Sequence, residues 1–182
     1  MAARIVNLPT PEQLRQLLRY EPETGKLFWR PRCLSMFPNA RMAKTWNTRF
    51  AGNEALVSVG PVGYRYGAIL GQKLYAHRVI WAMQSGCWPV ADIDHANTIR
   101  TDNRFENLRE ASRAQNLMNT GKARGKTGIK GVTQRADGVF VVEIRANRER
   151  HYIGRFRSLS DAAAAYADAA TRLHGEFART RQ

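Results

Sequence analysis

The chain has little cysteine: two in 182 residues, Cys33 and Cys87. They form no C-x-x-C pair, so a structural zinc site built on closely spaced thiolates is excluded. Free thiols in a reducing cytoplasm are the expectation. No apolar run is long enough to span a bilayer. No signal peptide is expected either, because the N-terminus lacks the apolar segment of one. Acid is also scarce: Lys and Arg number 29 against 15 Asp and Glu, for a formal net charge of +14. An anionic membrane would ask for a basic amphipathic helix with a bulky apolar face, and none is evident. The expected partner is therefore a polyanion such as nucleic acid.

The positive charge is uneven. Residues 1–118 hold 16 basic and 9 acidic residues, and residues 119–182 hold 13 and 6. The shorter segment is the denser in charge. Hydrophobic residues make up 43% of the chain, enough for a core in each half.

The stretch with the most chemistry is Ile93-Asp94-His95, followed by Asp102-Asn103-Arg104, Glu106-Asn107-Leu108-Arg109 and Asn116. Asp94 offers a hard anionic oxygen and Asn116 a hard neutral one, a pair suited to magnesium or manganese rather than zinc. His95 titrates near neutral pH and can act as a general base. In one strand Asp94 and His95 would point to opposite faces, so both reach one phosphate only if the strand ends or bends there. Ser112 to Gln115 reads as a capping box, which places Asn116 one turn into a helix. Thr101 to Arg104 has the composition of a turn. His77 is read as a core histidine, with a second site residue as the alternative.

Asn107 follows His95 by twelve residues and Asn116 follows it by twenty-one. With the Asp beside the His, this resembles the HNH nuclease motif. Ala76-His77-Arg78, Trp81, Gly86 and Trp88-Pro89 resemble the usual approach to the motif in phage-type homing endonucleases. The resemblance implies a ββα-metal unit holding one divalent cation, Mg²⁺ or Mn²⁺, against a scissile phosphate. It makes Asp94 and Asn116 metal ligands and His95 the general base. Asn107 becomes the brace of the loop that presents His95. The family commonly has Gly-Asp where this chain has Thr98-Ile99.

Elsewhere in the first 118 residues, Thr10 and Pro11 open a short helix with Leu14, Leu17 and Leu18 inward. A turn over Tyr20 to Gly25 leads to a strand over Lys26 to Arg30. Residues 31–50 are poorly patterned and read as a loop, with Arg41, Lys44 and Arg49 around Trp46. Strands are expected over Gly52 to Val59, Tyr64 to Leu70 and Lys73 to Tyr75. A helix over Ala76 to Gln84 has Val79, Ile80 and Met83 inward and closes at Ser85-Gly86. Residues 119–127, with Lys122, Arg124 and Lys126, read as a basic linker.

From residue 128 three short strands and an Ala-rich helix follow, capped at Ser158. Ala162, Ala165, Ala169 and Ala170 let the helix lie close on the sheet, with Tyr166 and Leu173 at the edge. Lys130-Gly131-Val132, Glu143-Ile144-Arg145, Ile153-Gly154, Phe156, Tyr166 and Gly175 resemble the Apetala-type (ethylene-response-factor) DNA-binding domain. That resemblance puts Lys130, Thr133, Arg135, Arg145, Arg150 and Tyr152 on the face toward duplex DNA. Thr133 stands where an Arg is expected, and Asp137 where a Trp is.

The expected fold class is α+β: an HNH unit over 1–118 with N-terminal strands and helices, a linker, and over 128–182 a three-stranded antiparallel sheet packed on one helix. The expected function is a homing-like, phage-type DNA endonuclease in the host cytoplasm. The alternatives are a non-catalytic DNA-binding regulator, and a nuclease on structured RNA or on invading DNA without site preference.

Overall fold

The computed structural model describes residues 8–113, 115–116, 126–146 and 149–178, without the side chain of residue 176. The chain divides into two compact units, residues 1–110 and 111–182. The architecture is mixed α+β with small sheets.

In the first unit, helix α1 (Pro11–Leu17) begins at a complete capping box, in which Thr10 and Gln13 each bond the other's backbone N–H. Leu14 and Leu17 are buried, but Leu18 already belongs to strand β1 (Leu18–Glu21). β1 pairs antiparallel with β2 (Lys26–Trp29), which pairs with β3 (Glu54–Ala55). The Tyr20-Glu21 pair expected in a turn is thus the end of a strand, and the turn is the hairpin beyond it.

The largest departure lies at residues 31–50. They contain a 3-10 turn (Leu34–Met36) and then helix α2 (Ala40–Phe50), not a loop. Asn39 caps the helix by accepting from the Met42 N–H. The inward positions are Ala43, Trp46, Asn47 and Phe50, a helical period with one small and one polar member. The apolar signal is therefore weak. Burial comes from Trp46 packing against Trp29, Phe37 and Phe50 at centroid distances of 5.7, 6.0 and 5.2 Å.

The strand expected over 52–59 is broken in two, β3 and β4 (Ser58–Val59), at Leu56, whose φ of 56° leaves the extended region. β4 pairs with β5 (Arg65–Ile69), and β5 with β6 (Gln72–Tyr75). Helix α3 (Ala76–Ser85) follows and ends at Gly86 in the left-handed conformation. Val79, Ile80 and Met83 face inward onto Leu14, Leu18, Leu27 and Ile69. Arg15 locks α1 to the end of α3 by donating from Nε and a terminal nitrogen to the Met83 carbonyl. Strand β7 (Asp92–His95) then pairs with β8 (Leu108–Ala111).

In the second unit, Ser112 and Gln115 bond each other's backbone as a capping box, and the Asn116 N–H donates to the Ser112 carbonyl. Strands β9 (Val132–Gln134), β10 (Phe140–Ala146) and β11 (Glu149–Phe156) form an antiparallel sheet in the order β11-β10-β9. Helix α4 (Leu159–His174) packs on it through Ala162, Tyr166, Ala169 and Ala170. Gly131 is required here. Its φ is 73°, and a Cβ would lie 2.3 Å from the Tyr166 ring and 2.4 Å from the Glu143 carbonyl oxygen. Leu173 is exposed rather than at the packed edge. His174 is buried there instead, its Nε2 3.1 Å from the Arg145 carbonyl. One residue's rotation along the helix decides this, and a polar ring with a carbonyl partner is as well buried as a leucine.

Candidate active site

The first unit builds a site around the end of β7. Asp94 is 6% exposed and His95 is 2% exposed. The chain leaves the strand immediately after His95. The Thr98 N–H donates to the His95 carbonyl, and Thr98 takes a φ of 65°. That is the left-handed region, unusual for a β-branched residue.

The segment from 96 to 107 is held shut by Asn107. Its Oδ1 accepts from the Asn97 N–H at 2.9 Å, and its Nδ2 donates to Asn97 Oδ1 at 3.0 Å and to the Asp102 carbonyl at 2.8 Å. The Asn107 carbonyl accepts from the Ala96 N–H, which ties β7 to the start of β8. Asp102 accepts from Asn97 Nδ2 at 2.7 Å and from Arg104 at 2.9 and 2.7 Å. The Arg104 bonds, with smaller help from Asn97, hold the Asp102 carboxyl down at about 2.

A second brace comes from the N-terminal hairpin. The Tyr20 hydroxyl accepts from the Phe105 N–H at 2.8 Å. The hairpin's Gly25 sits against the backbone of Asn103 and Arg104, where a Cβ would come within 2.5 Å of both. The loop is thereby pressed into place by residues about eighty positions earlier.

Asn103 is the residue that the sequence marked only as part of a turn. It is 1% exposed, and its Oδ1 lies 3.0 Å from His95 Nε2. An acceptor at that nitrogen keeps the proton on Nε2 and leaves Nδ1 as the basic nitrogen. No local signal separates this Asn from its turn-forming neighbours, since its partner is eight residues away across the loop.

His77 is 6% exposed, and among the described residues its Nδ1 has no hydrogen-bond partner. Its ring stands edge-on to His95 at 5.3 Å, stacks on Tyr75 at 5.6 Å and tilts onto Tyr64 at 4.8 Å. Tyr64 in turn lies 5.7 Å from His95. Burial, with the neighbouring His95 and Arg78, pushes His77 down to about 3, so it is a neutral wall behind His95. Burial also lowers His95 from its ordinary value, although the Asn103 bond and the Asp94 and Asp102 charges act to raise it.

Arg109 was not expected at the site. Its Nε and a terminal nitrogen both donate to Asp94 Oδ2, at 3.0 and 2.8 Å. Asp94 and Arg109 lie on the paired strands β7 and β8, which explains their meeting. A cation at this carboxylate would share it with Arg109. Among the described residues no three His, Cys, Asp or Glu side chains cluster as a metal cage. One carboxylate oxygen fits a hard ion that keeps water and takes phosphate oxygens, as Mg²⁺ does.

Residues 74–118 match the family model described as HNH endonuclease. The stretch contains His77, Asp94, His95, Asn103, Asn107, Arg109 and Asn116 together, and it covers less than half of the chain. No curated protein and no solved structure matches the chain. Asn116 belongs to the second compact unit, one turn into the helix that Ser112 caps.

The remaining site expectations concern the second unit. Cross-strand pairing puts Thr133, Val141 and Arg155 in one row, Glu143 and Tyr152 in the next, and Arg145 and Arg150 in the third. Thr133, Arg145, Arg150, Tyr152 and Arg155 are exposed. Arg155, whose terminal nitrogen lies 3.1 Å from Asp137, was not among the expected residues. Glu143 lies on the same face and approaches Arg150 at 3.6 Å, which removes part of its positive charge. Arg135 is exposed just beyond β9, and Lys130 is half-buried in the turn before it. Lys126 is exposed, while Lys122 and Arg124 lie outside the described residues.

Proposed function

We propose that the chain is a metal-dependent endonuclease that hydrolyses phosphodiester bonds in duplex DNA. The observation that carries the reading is His95: an imidazole with Nε2 tied to Asn103, beside a carboxylate, within the HNH-matching segment. His95 Nδ1 takes the proton of the attacking water, a role worth ~10²–10⁴ in rate. Asp94 and Asn116 are the residues that would hold one Mg²⁺ or Mn²⁺, which when bound would supply charge neutralisation at the phosphate. Asn107 keeps the loop closed behind His95. His95 and Asp94 are both covered in the free protein, so a phosphate enters only as the covering side chains move aside.

The sheet of the second unit anchors the enzyme on DNA in the manner of an Apetala-type domain. Arg135, Arg145, Arg150 and Tyr152 are its groove-side contacts, with Lys130 and Thr133 beside them and Lys122, Arg124 and Lys126 on phosphates. An Arg bonding guanine through two nitrogens contributes ~1–3 kcal/mol of discrimination. A homing-like role in a phage or prophage is the biological setting this reading favours.

A non-catalytic DNA-binding regulator is the second reading, favoured by one observation: Arg109 already neutralises Asp94. Cleavage of a supercoiled plasmid across a magnesium titration separates the two. Under the nuclease reading the protein nicks, zinc substitutes poorly, and His95→Ala and Asp94→Ala lose cutting while gel-shift affinity stays nearly intact. Unchanged cutting by His95→Ala sinks the assignment of the base. DNA binding with no cutting by the wild type in either metal leaves the regulator.

A further inference from the structure

Six described cations of the first unit have carboxylate partners, and five more meet a backbone carbonyl (Arg30, Arg78, Arg100) or an aromatic ring (Arg32, Lys73). Arg15 pairs with Glu12, Arg19 with Glu21, Lys26 and Arg65 with Glu54, Arg104 with Asp102 and Glu106, and Arg109 with Asp94. Helix α2 is different. No Asp or Glu occurs between Glu23 and Glu54, while Arg30, Arg32, Arg41, Lys44 and Arg49 all do. Arg41, Lys44 and Arg49 are exposed, and among the described residues none of them has an ion pair.

Their spacing gathers them. With Ala43, Trp46, Asn47 and Phe50 turned inward, Arg41, Lys44, Thr45, Thr48 and Arg49 share the outward side. From Arg41 to Arg49 the helix rises ~12 Å, at 1.5 Å per residue. Three like charges on one helix face repel one another; Arg49 lies over the Phe50 ring at 5.1 Å, and among the described residues no carboxylate offsets them. The helix is nonetheless held rigidly. Trp46 is packed among three aromatic rings, and Arg32 stacks on it at 3.9 Å. Asn47 bonds both the N–H and the carbonyl of Arg32 at 2.9 Å. A rigid, uncompensated cationic face with hydroxyls between the cations is suited to a phosphate backbone and has no evident role in folding.

We propose that the outer face of α2 is a second duplex-DNA contact, a phosphate clamp inside the nuclease unit formed by Arg41, Lys44 and Arg49. It rests on the DNA reading above but is independent of the sheet in residues 128–182. The clamp fixes the enzyme on the backbone without reading bases, because its cations are point contacts to phosphate rather than paired donors to one base edge.

The test uses the full chain and a random-sequence duplex. Three phosphate contacts contribute about 2.7 to the slope of log affinity against log salt, at 0.9 each. The variant R41Q/K44Q/R49Q is expected to lose that much slope. Arg19→Gln, which removes an exposed but paired cation, should keep the wild-type slope. A wild-type slope in the triple variant overturns the clamp. Should the triple variant misfold, acetylation of Lys44 in the wild type decides: protection by DNA is expected, and equal labelling with and without DNA overturns it. A triple variant that loses affinity for phosphatidylserine vesicles and not for DNA also overturns it. Failure of the wild type to bind duplex DNA at any salt is a different result, which removes the nuclease reading itself.

Discussion

Asn107→Ala is the perturbation whose cost follows most directly from the geometry. The side chain makes three hydrogen bonds within a loop, to the Asn97 N–H, Asn97 Oδ1 and the Asp102 carbonyl, and the residue is 7% exposed. Each such bond contributes about 0.5–1.5 kcal/mol net, so the truncation costs about 3 kcal/mol. In a unit of this size each kcal/mol moves the melting temperature by about 4–8 °C, which predicts a fall of roughly 12–24 °C. Trp29, Trp46, Trp81 and Trp88 all lie in the first compact unit, so tryptophan fluorescence reports its unfolding alone. Asn107→Asp separates bracing from simple packing. It keeps an acceptor for the Asn97 N–H but turns an acceptor toward Asn97 Oδ1 and the Asp102 carbonyl. At neutral pH it should be at least as destabilising as Asn107→Ala. Cleavage should fall on the order of 10²-fold in both, the usual consequence of ~1 Å misplacement of a reacting group. A melting point for Asn107→Ala within about 2 °C of wild type would refute the brace, since that is less than one hydrogen bond.

Because burial lowers His95 below the ordinary 6.5, its neutral, basic form persists below that pH; single-turnover cleavage should therefore hold below pH 6.5 and fall only on further acidification, and a half-maximum above 6.5 would contradict the burial argument. His77 carries a stability signature of its own: between 6.5 and about 3 the unfolded chain binds a proton that the folded ring refuses. Stability is thus lost as pH falls through that window, by up to about 1.4 kcal/mol per pH unit, and His77→Gln should flatten the urea-derived slope relative to wild type. Thr98→Gly should relieve a left-handed residue. About 1–2 kcal/mol of strain against about 0.5–1 of added chain entropy predicts a gain of about 1 kcal/mol, and a lowered melting point would count against it.

The sequence by itself carried much of what is local. Thr10-Pro11 and Ser112 announced helix starts because a cap and its partner sit within one turn. Val79, Ile80 and Met83 declared the inward face of α3, because burial on a helix has a short period. The three short strands from residue 128 and the small residues of α4 likewise described a sheet against a helix. The order and spacing of Asp94, His95, Asn107 and Asn116 carried the resemblance to the HNH motif, and residues 74–118 match that family model.

What only the tertiary structure decided are the partners that meet across the chain. Asn103 beside His95, Arg109 on Asp94 and His77 behind His95 depend on the folding back of the 96–107 loop, the pairing of β7 with β8, and the packing of α3. The pressing of that loop by Tyr20 and Gly25 depends on a contact over some eighty residues. Helix α2 was unreadable for a related reason. Its inward face is Ala, Trp, Asn and Phe, too mixed to give a periodic signal, and its helicity rests on an aromatic cluster supplied by Trp29 and Phe37 from outside it. Local patterns encode which residues turn inward; which residues they then meet is settled by chain crossings that leave no mark at short spacing.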